Sequence, residues 1–239
     1  MKFIFTSLFV FTFFLQFFGQ KSITKSEQLW FQYYNQIKLS NKLIVYSDFG
    51  IRFRSGIYNW FQITSRAGIG YPIQNKIQGI SGFAVFTTFK DNLASIIELR
   101  PYQEVNTTHD FGKLKVQNRL RIEFRNFNIL SSEPKVITSN FRFRYRLYFT
   151  YPLLDLSTKK SDSKLLLNIG DELFINVGKN ILYNTFDNNR LLLGLGFQFK
   201  KKLTCSLTYC YQYGQRSKNL NEQSDIFWIG INHKLGFNK

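Results

Sequence analysis

Residues 118–126 read Asn-Arg-Leu-Arg-Ile-Glu-Phe-Arg-Asn, and residues 141–149 read Phe-Arg-Phe-Arg-Tyr-Arg-Leu-Tyr-Phe. In the first stretch Leu120, Ile122 and Phe124 alternate with Arg119, Arg121, Glu123 and Arg125. In the second, Phe141, Phe143, Tyr145, Leu147 and Phe149 alternate with Arg142, Arg144 and Arg146. A helix, with its period of 3.6, would scatter these residues around its circumference. A β-strand sends successive side chains to opposite faces, so the same order yields one apolar face and one charged face. The chain is built of strands.

The pattern continues in both directions. Leu29, Phe31, Tyr33, Ile37 and Leu39 share one face against Trp30, Gln32, Gln36 and Lys38, and Ser40-Asn41 makes a tight turn. Leu43, Val45, Phe49, Ile51 and Phe53 then oppose Asp48, Gly50, Arg52 and Arg54. A third strand runs from Trp60 to Tyr71 and ends at Pro72. A fourth spans Ile77 to Lys90, and Asp91-Asn92 turns it into a fifth that reaches Val105. Past the centre, Leu165, Leu167, Ile169, Leu173 and Ile175 oppose Asn168, Gly170, Glu172 and Asn176. Leu191, Leu193, Leu195, Phe197 and Phe199 oppose Arg190, Gly194, Gly196 and Gln198. Lys201-Lys202 turns into Leu203 to Tyr213, and the last strand puts Phe227, Ile229, Ile231, Leu235 and Phe237 on one face. Ile181 to Phe186 supplies a twelfth segment. Single-chain bacterial membrane barrels carry an even number of strands, so the expectation is about twelve, with ten as the fallback.

Alternation alone does not say which face is outside. A soluble lipocalin-like barrel would place the apolar face inward. Three features favour a membrane barrel instead. The segments are about 10 to 14 residues long, the length that crosses a bilayer at a tilt. Aromatics recur near strand ends (Trp30, Phe31, Tyr71, Phe89, Tyr148, Tyr151, Phe199, Tyr213), where interfacial girdles lie. The polar face is dense in arginine and small residues, as a hydrated lumen requires. Phe237 near the end of the last strand resembles the assembly signal of outer-membrane barrels.

The amino-terminal stretch reads as a secretory signal: Lys2, then a largely apolar run from Phe3 to Phe18, then the small residue Gly19. The expected organisation is a signal peptide over 1–19 and a single outer-membrane β-barrel domain over 20–239. A retained anchor is the competing reading, but the run is short for a spanning helix. The formal net charge of +17 would suggest nucleic acid in a cytosolic protein. Here the chain reads as exported and its arginines are spaced singly among apolar residues, so no nucleic-acid partner is expected. Cys205 and Cys210 sit an odd number of residues apart in one strand, on opposite faces, and imply no disulfide.

Several segments together resemble the bacterial family called domain of unknown function 2490. They are Tyr34-Asn35-Gln36, the stretch Arg119 to Arg125, the stretch Phe141 to Leu147, and Asp171 to Lys179 continuing through Phe186 to Arg190. The resemblance spans nearly the whole mature chain. It implies an outer-membrane barrel of Bacteroidota-type, Gram-negative bacteria, and it brings no activity, substrate or catalytic residue.

The candidate site is a lumenal charge network of Arg52, Arg54, Glu98, Arg100, Arg119, Arg121, Glu123, Arg125, Arg142, Arg144, Arg146, Glu172 and Arg190; Arg66, Asp48 and Glu104 share the polar faces. In one reading carboxylates bridge arginines across adjacent strands and fill a narrow structural or interaction barrel. In another the surplus arginine makes a narrow, anion-preferring channel for a small anionic solute. A third reading, an outer-membrane lipid-modifying hydrolase, needs a histidine beside a nucleophile. His109 is expected in a loop beside Asp110, with Thr107 or Thr108 nearby, while His233 lies on the face opposite Ser206. Asp187-Asn188-Asn189 with Asp171 and Glu172 offers oxygens to calcium but lacks the EF-hand spacing. No catalytic, metal or cofactor set is expected. The expected partners are outer-membrane lipid, which the loop lysines Lys159, Lys160 and Lys164 would meet at its headgroups, and the barrel-assembly machinery during biogenesis.

Overall fold

The computed structural model describes residues 22–156, 163–181, 183–200 and 202–236, and among these there is no helix. The signal segment, Lys159, Lys160, Lys201 and Phe237 lie outside the described residues. Eleven strands follow one another: β1 (Ser22–Lys38), β2 (Ile44–Arg54), β3 (Trp60–Gln74), β4 (Ile77–Lys90), β5 (Leu93–Phe111), β6 (Leu114–Ile129), β7 (Val136–Asp155), β8 (Lys164–Val177), β9 (Phe186–Phe199), β10 (Leu203–Ser217) and β11 (Leu220–Gly236). Each pairs antiparallel with the next, and β1 closes the sheet against β11 in a barrel without free edges.

The count corrects the expectation of twelve strands, and the fallback of ten. Ile181 and residues 183–185 join β8 to β9 rather than forming a strand, and Phe186 is the first residue of β9. An odd number of alternating strands leaves the first and last pointing the same way. The closing pair is accordingly parallel, from Ser22 opposite Leu220 to Lys38 opposite Gly236. The start of β1 and the end of β11 therefore lie at opposite rims, here called the amino rim and the carboxyl rim. All five hairpins at the carboxyl rim carry or adjoin a lysine: Lys42, Lys76, Lys113, Lys164 and Lys202.

The turns follow from their residues. Asp91 and Asn92 both take positive φ, 53° and 63°, which suits a two-residue hairpin whose twist matches its strands. β5 runs on to Phe111, so His109 and Asp110 sit in a strand paired with Val116 and Lys115, not in a loop. β3 passes Pro72 by a register shift between Pro72 and Gln74.

The faces are inverted relative to a soluble barrel. Leu120 (52% exposed), Phe143 (39%) and Leu193 (54%) point outward, whereas Glu123 (2%), Arg142 (6%) and Arg144 (6%) point inward and are buried. Trp30 and Tyr148 correct the aromatic girdle: both share the inward parity of their strands, and they pack with Leu192, Cys210 and Ile226 inside the barrel. Tyr71, Tyr151 and Phe199 do face outward near the carboxyl rim.

Eleven strands about 4.8 Å apart and tilted by about 40° enclose a backbone tube roughly 22 Å across. Arginines reaching inward from facing walls nearly meet in such a tube, so glycines provide the remaining room. At Gly214 an added Cβ would lie 2.3 Å from Asn188 Oδ1 and 2.4 Å from the Asp187 carbonyl oxygen. A backbone oxygen cannot rotate aside. Gly214→Ala should therefore destabilise the barrel by about 1–3 kcal/mol, read as a lower unfolding temperature of the compact band on unboiled gels. Gly236→Ala, with no atom within 4 Å of the added Cβ, should leave that temperature unchanged.

Candidate functional site: a charge-filled lumen

The inward faces of β5 to β9 bring the central charges together. Glu123, Arg144, Glu172, Arg119, Glu104 and Arg121 form a closed ring of alternating sign. Arg144 joins Glu123 (2.6 Å) to Glu172 (2.7 Å), and Arg119 joins Glu172 to Glu104 (3.8 Å). Arg121 completes the ring between Glu104 (2.5 Å) and Glu123 (3.5 Å). From Glu123 the network extends through Arg142 (2.5 Å) to Asp187 (2.9 Å), then Arg125 (3.8 Å), Glu98 (2.5 Å) and Arg100.

Each carboxylate of the network contacts at least two guanidiniums, and each sits in a surface that excludes bulk water. Such charges are tolerated only when paired and hydrogen-bonded, since moving a lone ion out of water costs several kcal/mol. Glu98 meets this by taking Nε and Nη2 of Arg100 together. Arg142 likewise donates to Glu123 through Nε (2.9 Å) and Nη2 (2.5 Å). The forked geometry of arginine is what allows one side chain to serve two strands. On the facing wall, Asp48 accepts from Arg66 Nε (2.8 Å) and Gln32 Nε2 (2.5 Å).

Most of the residues expected in the network are in it; four are not. Arg54 lies at the amino rim, 3.6 Å from Glu222, with its side chain 48% exposed. Arg52, Arg146 and Arg190 face inward, but among the described residues none has a carboxylate within ion-pair distance; they rest on aromatic rings instead. The bridging is also wider than neighbouring strands. Arg119 on β6 reaches Glu172 on β8, and Arg142 on β7 reaches Asp187 on β9.

Asp187 is the member the sequence conceals. By simple parity it should face outward, because Asn188 and Arg190 face inward. A register shift between β8 and β9 sets Phe174 opposite Asn188 and Ile175 opposite Phe186, leaving Asp187 as the extra residue of a bulge. Asp187 and Asn188 are both buried as a result. Asp187 and Glu172 are thus engaged by arginines, while Asp171 accepts from Asn189 (2.9 Å). His233 meets the Tyr33 hydroxyl at 3.1 Å on the outside, and Ser206 donates to the Gly230 carbonyl (3.3 Å).

An antiparallel β-barrel with an apolar exterior and an ion-paired interior is the class this fold defines. The chain belongs to the family described as protein of unknown function, DUF2490, whose model matches residues 27–224, from β1 into β11. No curated protein and no solved structure matches it.

Glu123 touches three guanidiniums, so its neutralisation leaves a confined cluster of like charge. Glu123→Gln and Glu172→Gln should each cost about 3–5 kcal/mol, the usual loss on breaking a buried ion pair. Glu222→Gln, whose arginine partners are largely exposed, should cost less than 1 kcal/mol, in line with surface pairs. Urea unfolding in detergent micelles would rank the three variants.

Proposed function

We propose that this protein is an outer-membrane β-barrel of a Gram-negative bacterium, closed by its own ion-pair network and acting as a structural or interaction barrel, not as an open pore. The outward face carries the argument. A contiguous apolar belt of side chains such as Leu120, Phe141, Leu191, Leu193, Leu195 and Phe227 stands exposed around the barrel, and water would not tolerate so large a patch on a monomer. Lipid would. No described helix is long and apolar enough to cross a membrane, so strands would have to do so. The lysines at the carboxyl rim suit phosphate-bearing headgroups beside the belt. The parity of charge favours a filled lumen, since the network spans β5 to β9 and joins side chains up to three strands apart.

The experiment is fractionation followed by reconstitution. The mature protein should begin near Gln20, sediment with outer membranes and migrate faster unboiled than boiled, because a closed ladder resists detergent. Recovery from the periplasm without detergent would end the proposal. In planar bilayers it should conduct poorly, and large single-channel steps would argue for a passage. Phe143→Arg should block assembly, because a lipid-facing arginine at mid-depth costs about 2–4 kcal/mol, whereas Phe143→Leu should assemble normally.

A further inference from the structure

Two of the three inward arginines that no described carboxylate pairs with meet at one ring. Arg52 on β2 and Arg190 on β9 both lie against the ring of Trp30, their guanidinium carbons 3.9 Å and 5.1 Å from its centroid. They arrive from two sides of β1, Arg52 from its direct register partner on β2 and Arg190 from beyond β10 and β11. Arg52 donates through Nη1 to Gln62 (2.7 Å), but its buried Nε has no partner among the described residues. Arg190 donates through Nε to Gln212 (2.6 Å). Both partners are neutral amides.

Trp30 is held firmly beside both arginines. Its Nε1 donates to Gln28 Oε1 at 2.9 Å, and its ring packs edge-on to Trp228 at 5.2 Å. The stack extends outward to Phe86 beside Arg52 and Phe174 beside Arg190. The arginines farther along it, Arg100 and Arg144, have carboxylates. The inner two have none within ion-pair distance among the described residues. A ring face attracts a cation but does not neutralise it, so two positive charges lie against one indole and repel each other. Although they point inward, Arg52 and Arg190 are only half-buried, so each keeps part of its surface accessible.

We propose that Arg52, Trp30 and Arg190 form a binding site for a small oxyanion, of the phosphate, sulfate or carboxylate class. Two guanidiniums supply the forked donors that such anions accept, and the indole fixes their spacing. The inference rests on the lumenal charge reading and is independent of where the protein resides.

The test uses the full mature chain purified in detergent, with folding checked by the unboiled gel shift. Inorganic phosphate is titrated against chloride at constant ionic strength, while tryptophan fluorescence and unfolding temperature are followed. Binding should be saturable and should raise the unfolding temperature, as any ligand of the folded state does. Arg52→Gln and Arg190→Gln should each weaken binding at least tenfold. Arg146→Gln removes an equal lumenal charge at Tyr148 and should leave it unchanged. Gln62→Glu supplies Arg52 with an internal carboxylate, so it should abolish phosphate binding and stabilise the anion-free barrel. A response that never saturates, or equal weakening by Arg146→Gln, would overturn the site. If the arginine variants do not fold, the wild-type titration and Gln62→Glu decide. Failure of the membrane proposal would appear in fractionation and leave this titration untouched.

Discussion

A guanidinium enclosed by a ring of strands must find carboxylates, amides or ring faces within that ring to meet its charge. That constraint explains more of this molecule than any hydrophobic cluster does. The apolar clusters inside are small, one around Trp30, Leu192, Cys210 and Ile226 and one around Ile80, Ala84, Phe86 and Tyr102. Between them the lumen is filled by salt bridges. In the closed ring of three glutamates and three arginines each charge has opposite neighbours on both sides, so loss of one member exposes two others. Such a network contributes less net stability than a well-packed apolar core would, but it penalises misregistered strands heavily. A one-residue slip of β6 against β7 would turn Arg119, Arg121 and Arg125 outward while Arg142, Arg144 and Arg146 kept their side.

The two faces of the barrel are thus specified by one alternating code read with opposite requirements. Outside, the aliphatic and aromatic side chains stand exposed, and polar groups among them pair with each other, as Tyr33 does with His233 and Tyr209 with Asp225. Inside, every long side chain needs both a partner and room. Gly82 shows the second need: Tyr102 crosses directly above it, its hydroxyl 2.4 Å from where a Cβ would be. Small residues on the inward face are the counterpart of the large ones opposite them.

The faces, the turns and most of the charge network were legible in the chain because strand parity is a strict rule. Arg142 and Arg144 could be placed on one side with Glu123 and Glu172 from the spacing alone. What parity could not supply was whatever breaks it. The bulge at Asp187 adds one residue to β9 and sends an acidic side chain inward where counting sends it outward. Trp30 failed for the opposite reason. Parity placed it inward, and its chemical type suggested a girdle; position prevailed over type. The strand count was missed because Ile181 and residues 183–185 bridge β8 and β9 instead of forming a strand, with the Asn176 amide donating to the Thr185 carbonyl at 2.7 Å.

Closure by a parallel pair also shapes where charge can accumulate. The carboxylates of the network come from β5, β6, β8 and β9, so they form an arc on one side of the tube. The opposite wall, around the β1–β11 seam, is lined by Gln28, Gln32, Trp30, Ser224 and Ile226, with Asp48 committed to Arg66. Arg52 springs from that wall, out of reach of the acidic arc. Arg190 springs from the edge of the arc, where Glu172 is already occupied by Arg119 and Arg144. Arg52 and Arg190 therefore meet where the two linings join. The aromatic stack is the means by which the barrel holds them there without a carboxylate of its own.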